Sequence, residues 1–149
     1  MKKRKIKWVD SYKNIPKYKE RGITGAVSGI RENSTDEIYL IRGKAGKYTE
    51  QHEICHSIHN DPSKPRDPYN YINQEIRANI YAYKKTGHPK GITMRIRAIY
   101  TDVQDEYPDV SYKKRLSMMK RSLSSNNAPK MWFDDLDKVR KEALEVNKD

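Results

Sequence analysis

Residues 52–56 read His-Glu-Ile-Cys-His, the HExxH pattern. On an α-helix, residues four apart lie on one face, about 6 Å apart along the axis. His52 and His56 at that spacing can turn their imidazoles onto one metal ion. Glu53, next to the first histidine, can then reach a water held by that metal. A zinc ion lowers the water's pKa, and a carboxylate in that place takes its proton as general base. With four His and nine Glu in the chain, the pattern would arise by chance in roughly one such sequence in 200, so its helical context carries weight.

A catalytic zinc needs a third protein ligand and one open position. His59 lies at an acceptable angle, but about 10 Å along the axis from His52, too far for both to share an ion. It suits the helix end, near the negative pole of the dipole. Asp61 follows the helix and would need a sharp return. His88 follows a glycine and could reach in from a loop. The best placed is Glu75, in the next helix. Tyr71, Glu75, Ala78 and Ala82 form a stripe there, and its two alanines permit the close helix approach a bound carboxylate requires. Zinc is the default for a His/His/Glu set, with manganese the competitor. Tyr69, Tyr71, Tyr81, Tyr83 and His88 are the candidate donors to an oxyanion. Cys55, the only cysteine, points about 100° from its neighbours on the helix, away from the metal, and reads as a small core residue. With one cysteine there is no internal disulfide and no cysteine-based zinc site.

The elements that must hold these residues follow from pattern and punctuation. Gly22–Ile30 reads as a β-branched, glycine-punctuated strand, Arg31–Asp36 as a polar loop, and Glu37–Arg42 as a second, more buried strand. After the turn Gly43–Gly46, Tyr48–His59 is free of Gly and Pro and reads as a helix, stopped by Asn60-Asp61-Pro62. Asp67-Pro68 starts the next helix, with Ile72, Ile76, Ile80 and Tyr83 as its apolar stripe and Gly87 as its C′ residue. Ile92, Ile96, Ile99 and Val103 mark a further helix, ended by Pro108. Ser111 caps another, with Tyr112, Leu116, Met119 and Leu123 on one face. Ser124–Lys130 is a linker, and residues 132–146 form a last helix. Strands followed by helices indicate an α+β fold: a small antiparallel sheet, the HExxH helix, then a helical C-terminal half. The 149 residues fit a single domain, with a core over about 22–123, a basic segment over 1–20 and the C-terminal helix.

The net charge is +11. Eight Lys/Arg in residues 1–20 stand against Asp10 and Glu20, and residues 110–123 carry Lys113, Lys114, Arg115, Lys120 and Arg121 without an acid. Such charge favours acidic partners and permits non-specific DNA contact. No apolar run is long enough to span a membrane, and the basic start lacks the apolar region of a signal peptide, so a cytoplasmic location is expected.

His52-Glu-Ile-Cys-His56, followed by Glu75-Ile-Arg-Ala78-Asn79, resembles the ImmA/IrrE family of metallopeptidases, whose pattern is HExxH and then a helix carrying ExxAN. The strand Ile38-Tyr39-Leu40-Ile41 matches the edge strand that precedes the active-site helix. The resemblance spans about residues 22–85, and more loosely the helices to Leu123. It implies a zincin-like fold, one catalytic Zn2+ held by His52, His56 and Glu75 as in gluzincins, and Glu53 as base. It further implies cleavage of a helix-turn-helix repressor, of the kind that switches genes of phages and mobile elements. Cys55 stands where the family often has Gly, and Ile80-Tyr81 replaces its usual Phe-Ala. The HExCH form is also similar to SprT-like proteases, but their third ligand is a downstream histidine, and none occurs between His59 and His88. The competing function is a non-catalytic, basic nucleic-acid-binding or toxin-like protein on the same metal-binding fold. A basic helix after the turn at Pro108 supports it superficially, although that turn lacks the usual glycine. Such a protein has no use for Glu53.

Overall fold

The computed structural model describes residues 5–87 and 92–148. It is mixed α+β, with a three-stranded sheet and five α-helices among these residues. The chain forms two compact units. One is built on the sheet and the first long helix; the other holds the three C-terminal helices. The division falls within the second helix, between Ile80 and Tyr81.

In the first unit, β1 (Lys5–Val9), β2 (Gly29–Glu32) and β3 (Glu37–Ile41) lie in the order β1-β3-β2. Only β2 runs antiparallel to β3, pairing Arg31 with Ile38; β1 runs parallel to β3, pairing Ile6 with Ile38 and Trp8 with Leu40. The sheet is therefore mixed, which corrects the antiparallel expectation. The basic N-terminal segment contains a strand that its composition conceals. β1 is an edge strand with no fully buried residue, so no apolar alternation is imposed on it. Its lysines suit an edge that must not recruit another chain, and Lys7 pairs with Glu37 of β3 at 3.2 Å.

The strand expected over 22–30 is confined to its end. Gly22 takes φ +67°. The Thr24 hydroxyl then accepts from the Ala26 amide, and its carbonyl accepts from Val27. These local bonds hold residues 24–27 in a turn rather than a ladder. β3 is the central strand rather than the edge strand expected over Ile38–Ile41, and it is buried on both faces: Ile38 and Leu40 on one, Tyr39 and Ile41 on the other, where they join Ile15 and Ile23 in a core.

Helix α1 (Lys47–His59) packs on β2 and β3. Gly29 makes this approach close. A Cβ there would stand 2.8 Å from the Thr49 methyl in α1's first turn and 2.9 Å from Leu40, well inside van der Waals contact. α1 ends as its sequence suggests, with Asn60 in the left-handed region at φ 49°.

Helix α2 (Pro68–Thr86) starts where the Asp67 side chain accepts from the Tyr69 amide. It ends at Gly87, φ +68°. Ile72, Ile76, Ala78, Ile80 and Ala82 are all buried. In the second unit, α3 (Ile92–Glu106), α4 (Tyr112–Ser125) and α5 (Lys130–Val146) pack on one another. Ile96, Val103, Met119, Leu123, Trp132 and Val139 form their core. Ser111 caps α4 through the Lys114 amide, as expected, but α4 continues to Ser125, into the expected linker. Its buried face is Arg115, Met119, Ser122 and Leu123. Tyr112 and Leu116 are only half-buried, so the buried stripe is rotated from the apolar one and takes in an arginine. No helix among the described residues is long and apolar enough to cross a membrane.

Candidate metal centre

The HExxH residues lie in the second and third turns of α1, and His56 is 8 % exposed. The two imidazoles meet edge to face, with Nε2 of His56 3.1 Å from Nε2 of His52. Two nitrogens at ~2.0–2.1 Å from a tetrahedral zinc would stand roughly 3.3 Å apart, so this separation is already that of a ligand pair. Glu75 of α2 completes the group: ligand atoms of His52, His56 and Glu75 all lie within 4.8 Å of one another. Together the three residues could hold a metal ion.

Asp61 stands behind His56 and is not one of the three converging ligand residues. Its carboxylate lies 2.9 Å from Nδ1 of His56, on the side of the ring opposite His52. An ionised carboxylate there would accept an Nδ1–H and leave the Nε2 lone pair for a cation, the tautomer that a metal-ligating histidine needs. The pair is buried, with side chains 10 % and 8 % exposed.

The placement of Asp61 is itself built. Arg31 of β2 is buried and donates to the Asp61 carbonyl at 2.8 Å and to Oδ1 of Asn60 at 3.0 Å, fixing the chain just beyond α1. Its Nε meets Asp36 at 2.7 Å, and the other Asp36 oxygen accepts from Ser57 of α1 at 2.9 Å. One guanidinium thus ties the β2–β3 turn, α1 and the Asn60-Asp61 return together. Sequence reasoning missed Arg31 because it assigned the residue to a polar loop; an arginine inside a strand is the signal that could have found it.

His59 is exposed at the end of α1. His88 lies outside the described residues. Cys55 is fully buried, as a small core residue should be. Among the tyrosines, Tyr69 has the Arg121 guanidinium 3.9 Å over its ring, and Tyr81 has Lys85 at 5.5 Å. Tyr71 lies one turn before Glu75, with its hydroxyl 3.4 Å from Asp102 of α3. Burial, then the Glu75 and Asp102 charges, hold its phenol far above the ordinary range, so the hydroxyl stays protonated and can only donate its hydrogen bond, not give up its proton. Asp102 is pushed up as well, first by burial and then by Glu75.

No protein-family model matches the chain, and no curated protein or solved structure matches it either.

Proposed function

We propose that the chain is a zinc-dependent endopeptidase of the ImmA/IrrE type, with a zincin-like site, hydrolysing a peptide bond in a cytoplasmic protein. A helix-turn-helix repressor is the substrate class that the HExxH–ExxAN pairing favours. The observation that carries the reading is the convergence of His52, His56 and Glu75, with Glu53 one residue from the first ligand. A zinc ion held by these three residues would supply Lewis acidity for the scissile carbonyl and for a water.

The chain's own groups do the rest. His52 and His56 present Nε2, and Asp61 keeps the His56 proton on Nδ1. Glu53 takes the proton of the attacking water and delivers it to the leaving amine. The Tyr71 hydroxyl, kept protonated, is the donor best suited to the developing negative charge on the carbonyl oxygen. The exposed Lys113, Lys114, Lys120 and Arg121 of α4 favour an acidic or DNA-bound partner without reading its sequence.

Glu53→Gln tests the reading, because the amide is nearly isosteric but cannot accept the water's proton. General-base catalysis contributes ~10²–10⁴-fold. The variant should keep its zinc and lose cleavage of co-expressed helix-turn-helix repressors by that factor. Equal cleavage by the variant would remove Glu53 from the mechanism. Zinc retention with no cleavage by either protein would favour the non-catalytic, nucleic-acid-binding alternative.

A further inference from the structure

The second unit contains a buried charge that a peptidase reaction does not use. Arg115 of α4 is 7 % exposed, although the sequence groups it with the basic surface. Its guanidinium carbon lies 4.5 Å over the Tyr100 ring. Its Nε and Nη1 are both buried, and neither meets an acceptor among the described residues. The contrast is Arg31, equally buried, which spends its nitrogens on Asp36, Asn33, Asn60 and the Asp61 carbonyl. A ring face offsets part of a cation's desolvation but accepts no N–H bond in the guanidinium plane. A buried cation without a hydrogen-bonded counter-charge is costly, so an anion that reaches it gains strongly.

Arg115 lines a cavity of about 250 Å³ among α3, α4 and α5. Val139, Ala143 and Val146 give that cavity an apolar wall, and Thr101 and Asn147 add polar groups. At its exposed rim Arg97 is matched by both oxygens of Glu142, at 2.6 and 3.0 Å, and contributes no net charge. One unmatched positive charge therefore remains, beside apolar surface, in a space slightly below the usual small-molecule range of ~300–1,000 Å³.

We infer that this cavity binds a small monocarboxylate with a short aliphatic body, its carboxylate on Arg115. A planar carboxylate fits a guanidinium, and a single negative charge balances it. A phosphate dianion would be over-charged for the site and would face Glu142. The carboxylate can come from a free short-chain acid or from the C-terminus of a peptide. The site is independent of the metal centre, and its failure would leave the peptidase reading untouched.

The test uses the full chain with sodium butyrate, with butyramide as neutral counterpart, and with trialanine in free and C-terminally amidated forms, at constant ionic strength. The Nε–H resonance of Arg115 is followed by NMR, assigned by its loss in Arg115→Met, alongside thermal melting. A saturable shift and a raised melting temperature with butyrate, but not with butyramide, are expected. Arg115→Met should weaken binding at least tenfold while keeping its fold, since an apolar side chain of similar length suits a buried position. Arg115→Lys, which keeps the charge and loses the planar fork, should weaken it too and serves if the methionine variant fails to fold. A response to free trialanine and not to its amide would assign the site to a peptide terminus; a response to butyrate alone would assign it to a free acid. No saturable response to either carboxylate, or an equal response to butyramide, would overturn the inference.

Discussion

Replacing Asp61 isolates the orientation of a candidate metal ligand from the ligand itself. The Asp61 carboxylate accepts from His56 Nδ1 at 2.9 Å in a buried setting, so the bond is charge-assisted and little weakened by solvent. The backbone of Asp61 is held separately, by Arg31 on its carbonyl. Asp61→Ala therefore removes the carboxylate while that anchor stays in place. Removing the carboxylate behind a ligating histidine costs about 10–100-fold in metal affinity, or about 1.4–2.7 kcal/mol. The buried position argues for the upper half of that range. Asp61→Asn keeps an acceptor oxygen but loses the charge, and should fall near the lower end. Competition with a chromophoric chelator gives zinc affinity directly, and circular dichroism checks that α1 persists. If Asp61→Ala bound zinc as tightly as the parent, the carboxylate would not be setting the His56 tautomer, and the metal would have to lie elsewhere.

Zinc should bind at one ion per chain and be lost in His52→Ala and His56→Ala; elemental analysis of the purified variants decides this, and full retention in both would refute the site. Glu75→Ala should weaken zinc without abolishing it, since two ligands on one helix remain; unchanged affinity would move the third ligand to another residue. Gly29→Ala should destabilise the protein by about 1–3 kcal/mol in urea unfolding, because the new Cβ would sit 2.8 Å from the Thr49 methyl. The Tyr39 phenol, pushed up to about 12 by burial and then by its bond to Glu37, should be missing from the ordinary tyrosine step in a 295 nm titration. The stability it contributes is complete below pH 10 and is lost as pH rises through about 12, and the comparison with Tyr39→Phe isolates it.

What was legible in the sequence was whatever local spacing dictates. HExxH requires only a helix, and Tyr48–His59 lacks any residue that would break one. The stripes of α2 and the caps at Asp67 and Ser111 are likewise local, and the structure has them. β1 was illegible because an exposed edge strand carries no burial pattern; only its pairing to β3 defines it. The turn at 24–27 is hidden from β propensity because Thr24 satisfies its neighbours' amides locally. Arg115 reads as a surface residue in the sequence because a positive charge inside a helical core contradicts composition.

The positioning of the candidate metal centre belongs to a third class, in which the residue types are visible and their partnership is not. A carboxylate near two histidines suggests a ligand, and sequence alone leaves Asp61 a candidate for one. Its work depends instead on a left-handed Asn60, on Arg31 thirty positions earlier, and on Asp36 holding both Arg31 and Ser57. None of these bonds has a sequence period. They do have a physical requirement in common. A histidine that offers Nε2 to a metal must have its other nitrogen's proton accepted, and a buried carboxylate that accepts it must be held in place. Given HExxH, the productive search is therefore for the acid behind the second histidine and for the buried cation that fixes it, and here that search ends on Asp61 and Arg31.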